Sequence, residues 1–89
     1  MFLLVRNKVA DPERWKVVFD AQSPAAQAAG LEVIHLWQAA DQSDQIFFVF
    51  SVDDRSRAEA FMSMPESAQA GQDAGVIDGD FHFLESWPT

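Results

Sequence analysis

Leu31-Glu-Val-Ile-His-Leu-Trp-Gln-Ala-Ala40, Asp41-Gln-Ser-Asp44 and Gln45-Ile-Phe-Phe-Val-Phe-Ser-Val52 together form the stretch that decides the fold. The first run reads as a strand, rich in branched and aromatic residues. The four polar residues after it form a turn, and the last run reads as a second strand, so the pair is a β-hairpin. That second strand is apolar at every position from Ile46 to Phe50. A strand with one wet face would alternate, so this one asks for cover on both sides.

Working outward toward the N-terminus, Phe2 to Val9 is a strand candidate. Asp11-Pro12-Glu13 then opens a helix. The Asp11 carboxylate can accept from free N–H groups, Pro12 suits the first helical position, and Glu13 favours the positive helix end. Trp15, Val18, Phe19 and Gln22 recur at helical spacing, and the first three make an apolar stripe. Ser23-Pro24 interrupts the ladder, so the helix runs to about Gln22 and then kinks or restarts over Pro24 to Ala29. Gly30 ends it in a left-handed conformation.

Toward the C-terminus, Asp53-Asp54 can cap a second helix with the stripe Ala58, Phe61 and Met62. Met64-Pro65 breaks it. Pro65 to Ala74 is a weakly amphipathic helical piece with Gly71 inside it, stopped by Gly75. Val76 to Asp80 reads as a loop, Phe81 to Ser86 as the last strand, and Trp87-Pro88-Thr89 as a tail. The order is β-α-β-β-α-β. Two split βαβ units with right-handed crossovers give an α+β, ferredoxin-like domain over residues 1–89: a four-stranded antiparallel sheet with the helices on one face.

The other sheet face cannot be polar. Ile46, Phe48 and Phe50 point one way, and Phe47 and Val49 the other. Phe2 and Leu4 likewise oppose Leu3 and Val5. An exposed face of that content is an interface, and the simplest partner is a second copy, sheet to sheet. Chain length argues the same way. A domain of 89 residues buries only about 60–65% of its unfolded surface. With no cysteine it has no disulfide staple.

Charge removes other partners. The formal net charge is −8, and the six basic residues, Arg6, Lys8, Arg14, Lys16, Arg55 and Arg57, lie in scattered pairs. Nucleic acid and anionic membranes both require clustered Lys and Arg, so neither is expected as a partner. The apolar run Met1 to Val5 is too short for a signal segment or a membrane span, which makes the cytoplasm the expected location.

The opening Leu4-Val-Arg-Asn-Lys-Val9, followed by Asp11-Pro-Glu-Arg-Trp-Lys16, together with Phe19-Asp20 and the closing Ala74-Gly-Val-Ile77, resembles the dimeric α/β-barrel superfamily. Within it, the chain is similar to the antibiotic-biosynthesis monooxygenase-like proteins and to small cyclase-like members. The resemblance implies a homodimer built through the sheet. It also implies a range of activities, from cofactor-free oxygenation and isomerisation to non-catalytic stress roles. Haem-degrading members resemble one another in an Asn on the first strand with a Trp and a His in the second half. Asn7 fits the first position, but no His or Trp lies between Arg55 and Phe81, so an axial imidazole from the second helix is missing.

The candidate ligand groups are Arg6, His35 and Trp37, with Asn7. If Leu3, Val5 and Val9 face the helices, then Phe2, Leu4, Arg6 and Lys8 face away. If Ile34 and Leu36 face the helices, Val33, His35 and Trp37 join Arg6 on the helix-free side. His35 could exchange a proton near neutral pH, and Arg6 with Lys8 could hold an anionic or enolate-like ligand. Each has a bland alternative: a histidine hydrogen-bonded at a seam, as also for His82, and surface charge pairing. Trp15 reads as core, while Trp37 and Trp87 read as interface anchors or cavity walls. The parity leaves Asn7 among core residues, where it needs a partner or is itself the polar group of a pocket.

Asp78-Gly-Asp80 with Asp73 lacks the spacing of a calcium loop and reads as a turn. No zinc pattern, phosphate loop or nucleophile elbow is present, so no cofactor or metal is expected. The function expected is binding or transformation of a small apolar or aromatic ligand, cofactor-free monooxygenase-like or cyclase- and isomerase-like. The alternative is a non-catalytic stress or accessory protein whose barrel is filled by its own side chains.

Overall fold

Four strands and three helices follow one another as β1 (Phe2–Val9), α1 (Pro12–Ala28), β2 (Leu31–Gln38), β3 (Gln45–Val52), α2 (Arg55–Met62), α3 (Pro65–Asp73) and β4 (Val76–Leu84). The computed structural model describes residues 1–88. The strands form one sheet in the order β2-β3-β1-β4, with every neighbouring pair antiparallel. This is the α+β, ferredoxin-like arrangement that the element order requires.

The helix starts obey the capping chemistry. Asp11 Oδ1 accepts from the N–H groups of Glu13 at 3.1 Å and Arg14 at 3.4 Å. Asp54 does the same for Ser56 at 2.9 Å and Arg57 at 3.4 Å. Gly30 and Gly75 follow the ends of α1 and α3 at φ 81° and 73°, the left-handed region that favours glycine. No helix among the described residues is long and apolar enough to cross a membrane.

Trp15 joins the first helix to the sheet. It is 3% exposed, stacks on Phe19 with ring centroids 4.7 Å apart, and packs against Phe48 at 5.5 Å. Phe48 and Phe50 therefore face the helices. Their β1 partners Val5 and Leu3 share that face, because directly paired residues do. Phe2, Leu4, Arg6 and Lys8 lie on the opposite, helix-free face with Phe47, Val49 and Ser51 of β3.

Three expectations need correction. First, α1 does not end near Gln22: it runs unbroken to Ala28 with Pro24 inside it. The proline removes one intrahelical bond, but the packing stripe Trp15, Phe19, Gln22, Ala26 carries on past it. Ala26 is only 6% exposed. Second, Val76 to Asp80 is not a loop but the first half of β4. Lys8 pairs with Asp78 and Arg6 with Asp80. Third, Val33 faces the helices rather than the bare side. The β2–β3 register shifts between Val33 and His35, leaving Ile34 as the extra residue of a bulge. A bulge resets the parity of everything beyond it, so Val33 and Leu36 both face inward.

Candidate functional site

Arg6, His35 and Trp37 all lie on the helix-free face. Arg6 pairs with Phe47, His35 with Val49 and Trp37 with Phe47 across the sheet. His35 and Trp37 stack with ring centroids 5.1 Å apart. Both are exposed. Trp37 also borders a broad groove of about 650 Å³ at the β2 edge with Leu36, Glu13 and Lys16.

Arg6 is already spent. Its Nε donates to Asp80 at 2.9 Å, one terminal nitrogen to Asp78 at 3.1 Å and the other to Gln45 at 2.9 Å. The two aspartate hydrogen bonds raise the Arg6 pKa, and the bond from Arg6 lowers the Asp78 pKa. Asp78-Gly79-Asp80 is thus neither a turn nor a cation loop but a clamp of alternate carboxylates on one strand face. An arginine held by two carboxylates has little left for an anionic ligand. His82 sits beside the clamp, 3.7 Å from Asp80. No group of three or more His, Cys, Asp or Glu side chains is placed to hold a metal among the described residues.

Asn7 faces the other way, opposite Ile46 on β3 and Gly79 on β4. With its amide assigned by hydrogen bonding, the oxygen accepts from Trp15 Nε1 at 3.1 Å and the nitrogen donates to the Arg6 carbonyl at 3.0 Å. The inward-facing, partly buried asparagine therefore has its partner in the helix stripe. Gly79 makes this approach possible. A Cβ there would lie 2.6 Å from the Arg6 carbonyl oxygen and 2.9 Å from the Asn7 carboxamide. Gly79→Ala is expected to cost about 1–3 kcal/mol, the usual range for overpacking. Urea melts check it, and a loss under about 0.5 kcal/mol would show that β4 yields freely.

Asn7 borders a cleft between the sheet and the helices. The inner compartment, about 200 Å³, is walled by Leu3, Val33, Phe48 and Phe50 of the sheet, Ala26 of α1, and Phe61 and Met62 of α2. The outer compartment, about 180 Å³, is bordered by Asn7, Trp15, Ser67 and Gly71. Phe19, Gln22 and Phe48 line both. Taken singly, each is smaller than the roughly 300–1,000 Å³ typical of small-molecule sites.

Two arginines tie the helices to one another. Arg14 Nε, in the first turn of α1, donates to the Asp73 carbonyl at the end of α3 at 2.7 Å. Arg57 of α2 donates to the Ala28 carbonyl at the end of α1. Each satisfies a helix-terminal carbonyl that the ladder leaves free. Sequence reasoning did not single out the cleft lining, with one signal available: Gln22 is the polar member of an otherwise apolar helix stripe.

No protein-family model matches the chain, and no curated protein does. Solved structures do. A candidate antibiotic biosynthesis monooxygenase from Caulobacter crescentus superposes with a TM-score of 0.74 at 13% identity, over 98% of this chain and 89% of that one. A mutant of SnoaB from Streptomyces nogalater, a cofactor-independent oxygenase, gives 0.70 at 15% identity, over 99% and 93%. A NIPSNAP domain protein from Burkholderia xenovorans gives 0.65 at 9% identity, over 100% and 99%. The chain shares the fold of the antibiotic-biosynthesis monooxygenase-like proteins.

Proposed function

We propose that this protein binds a small apolar or aromatic molecule in the cleft between sheet and helices, and that it pairs with a second copy through the helix-free face. The observation that carries the binding half is the inner compartment. It is an apolar hollow of about 200 Å³ between the sheet and the helices. Protein interiors leave few hollows of that size.

The likeness to a cofactor-independent oxygenase suggests the chemistry to weigh. Without a cofactor, oxygen takes its electrons from the substrate itself, which must first lose a proton. No ionisable side chain among the described residues lines either compartment. The cleft can desolvate and orient a substrate, but it offers no base to ionise one. Binding and positioning are therefore the functions its residues support, and oxygenation is open to substrates that ionise unaided.

The helix-free face favours the second copy. Phe2, Leu4, Phe47 and Val49 form an apolar band across it, flanked by Trp37 and Leu84. Two such bands facing each other would fill the space between the sheets with side chains, as a non-catalytic barrel does. Arg6, His35 and Trp37, read from sequence as ligand groups, fall at this proposed seam rather than in the cleft.

Calorimetric titration with 2-naphthol tests the cleft. Binding is expected, with loss in Ala26→Leu and in Ser23→Leu, both of which fill the inner compartment. Leu4→Ala, on the opposite face, should bind as the parent does. Equal affinity in all four proteins would remove the cleft as the site.

A further inference from the structure

The lining of the cleft bears on the charge of its ligand. Its compartments sit in a chain of net charge −8, yet neither is lined by a charged side chain among the described residues. The polar groups that do line it are amides and hydroxyls: Asn7, Gln22, Ser23 and Ser67. Two of these are engaged. Asn7 is held between Trp15 and the Arg6 carbonyl, and the Ser67 hydroxyl donates to the Phe61 carbonyl.

Gln22 is different in position. It lies with Phe19 and Phe48 at the junction of the two compartments, and it is half-buried. Its carboxamide offers a donor and an acceptor without charge. Apart from the neighbouring Ser23, the inner compartment behind it is apolar.

Resting on the reading of the cleft as a ligand site, we infer that Gln22 selects an uncharged amphiphile: an apolar ring body seated in the inner compartment, with a neutral hydroxyl, carbonyl or amide edge at Gln22. The physical reason is desolvation. An ion moved into an apolar hollow loses its hydration and finds no opposite charge there, whereas a neutral polar edge needs only one hydrogen-bonding group. A bound ring that covers the half-buried Gln22 carboxamide shuts out its water, so a ligand that leaves the carboxamide unpaired is disfavoured, which makes Gln22 the specificity-determining residue.

Three probes with the same two-ring body separate the possibilities: 2-naphthol, 2-naphthoate and 2-naphthylmethylammonium at neutral pH. Binding is followed by NMR at the Trp15 indole and at Phe19 and Phe61, which report the cleft itself. The expected order is 2-naphthol first, with both ions weaker by about tenfold or more. Gln22→Glu should move the preference to the ammonium probe, and Gln22→Lys should move it to 2-naphthoate. Gln22→Met should weaken 2-naphthol by about threefold to tenfold without admitting either ion. Either ion binding at the cleft as tightly as 2-naphthol overturns charge selection alone, as does an order unchanged by both charged variants. If no probe moves the cleft signals, the cleft reading falls and this inference falls with it.

Discussion

Trp15→Ala is expected to lower stability by about 3–5 kcal/mol, the range for truncating a buried aromatic. Trp15 is 3% exposed and stands between the Phe19 and Phe48 rings, so its removal leaves a cavity where α1 meets the sheet. A second loss adds to the first. The Asn7 oxygen accepts from Trp15 Nε1, and without the indole that partly buried acceptor loses its partner. Trp15→Phe isolates the second effect, because it keeps a ring but removes the donor, and should cost about 1–3 kcal/mol. Urea denaturation of both variants reads the two numbers. A loss under about 1 kcal/mol for Trp15→Ala would mean that the stripe does not hold the helix to the sheet.

Phe47→Glu is expected to abolish self-association. Phe47 is the centre of the helix-free face, paired with Arg6 on one side and Trp37 on the other. In a sheet-to-sheet dimer its replacement would bury an unpaired carboxylate against the partner's apolar band, which complexes do not tolerate. Sedimentation equilibrium at micromolar concentration should give twice the chain mass of 9.9 kDa for the parent and that single mass for the variant. A parent that sediments as one chain, folded and soluble, would remove the sheet face as an interface.

What was legible in the sequence was what local chemistry writes. The Asp11 and Asp54 caps, the glycines after α1 and α3, and the doubly apolar strand from Ile46 to Phe50 all sit where neighbours a few residues apart determine them. The inward set of β1 was legible too, because Leu3, Val5 and Val9 share one parity while Arg6 and Lys8 fall on the other. Val33 was not, because the bulge at Ile34 is set by pairing with β3, and no residue type marks it. Asp78-Gly79-Asp80 looked like a turn because Asp and Gly are poor strand formers. What makes it a strand is Arg6, 72 and 74 residues earlier in the chain, and such a pairing leaves no local trace. The cleft under the helices was not legible for the same reason. The cleft exists because α2 and α3 break at Ser63-Met64 and arch over Phe48 and Phe50, and the size of that arch is a property of packing.

Two faces of one sheet therefore carry two proposed roles, a ligand under the helices and a second copy on the bare side. The most direct test is an NMR shift map of the protein with 2-naphthol. Changes are expected to cluster at Leu3, Phe19, Gln22, Phe61 and the Trp15 indole, with Leu4, His35 and Trp37 unmoved. Changes centred on His35, Trp37 and Arg6, with the Phe61 and Gln22 signals silent, would contradict it and return the ligand to the helix-free face.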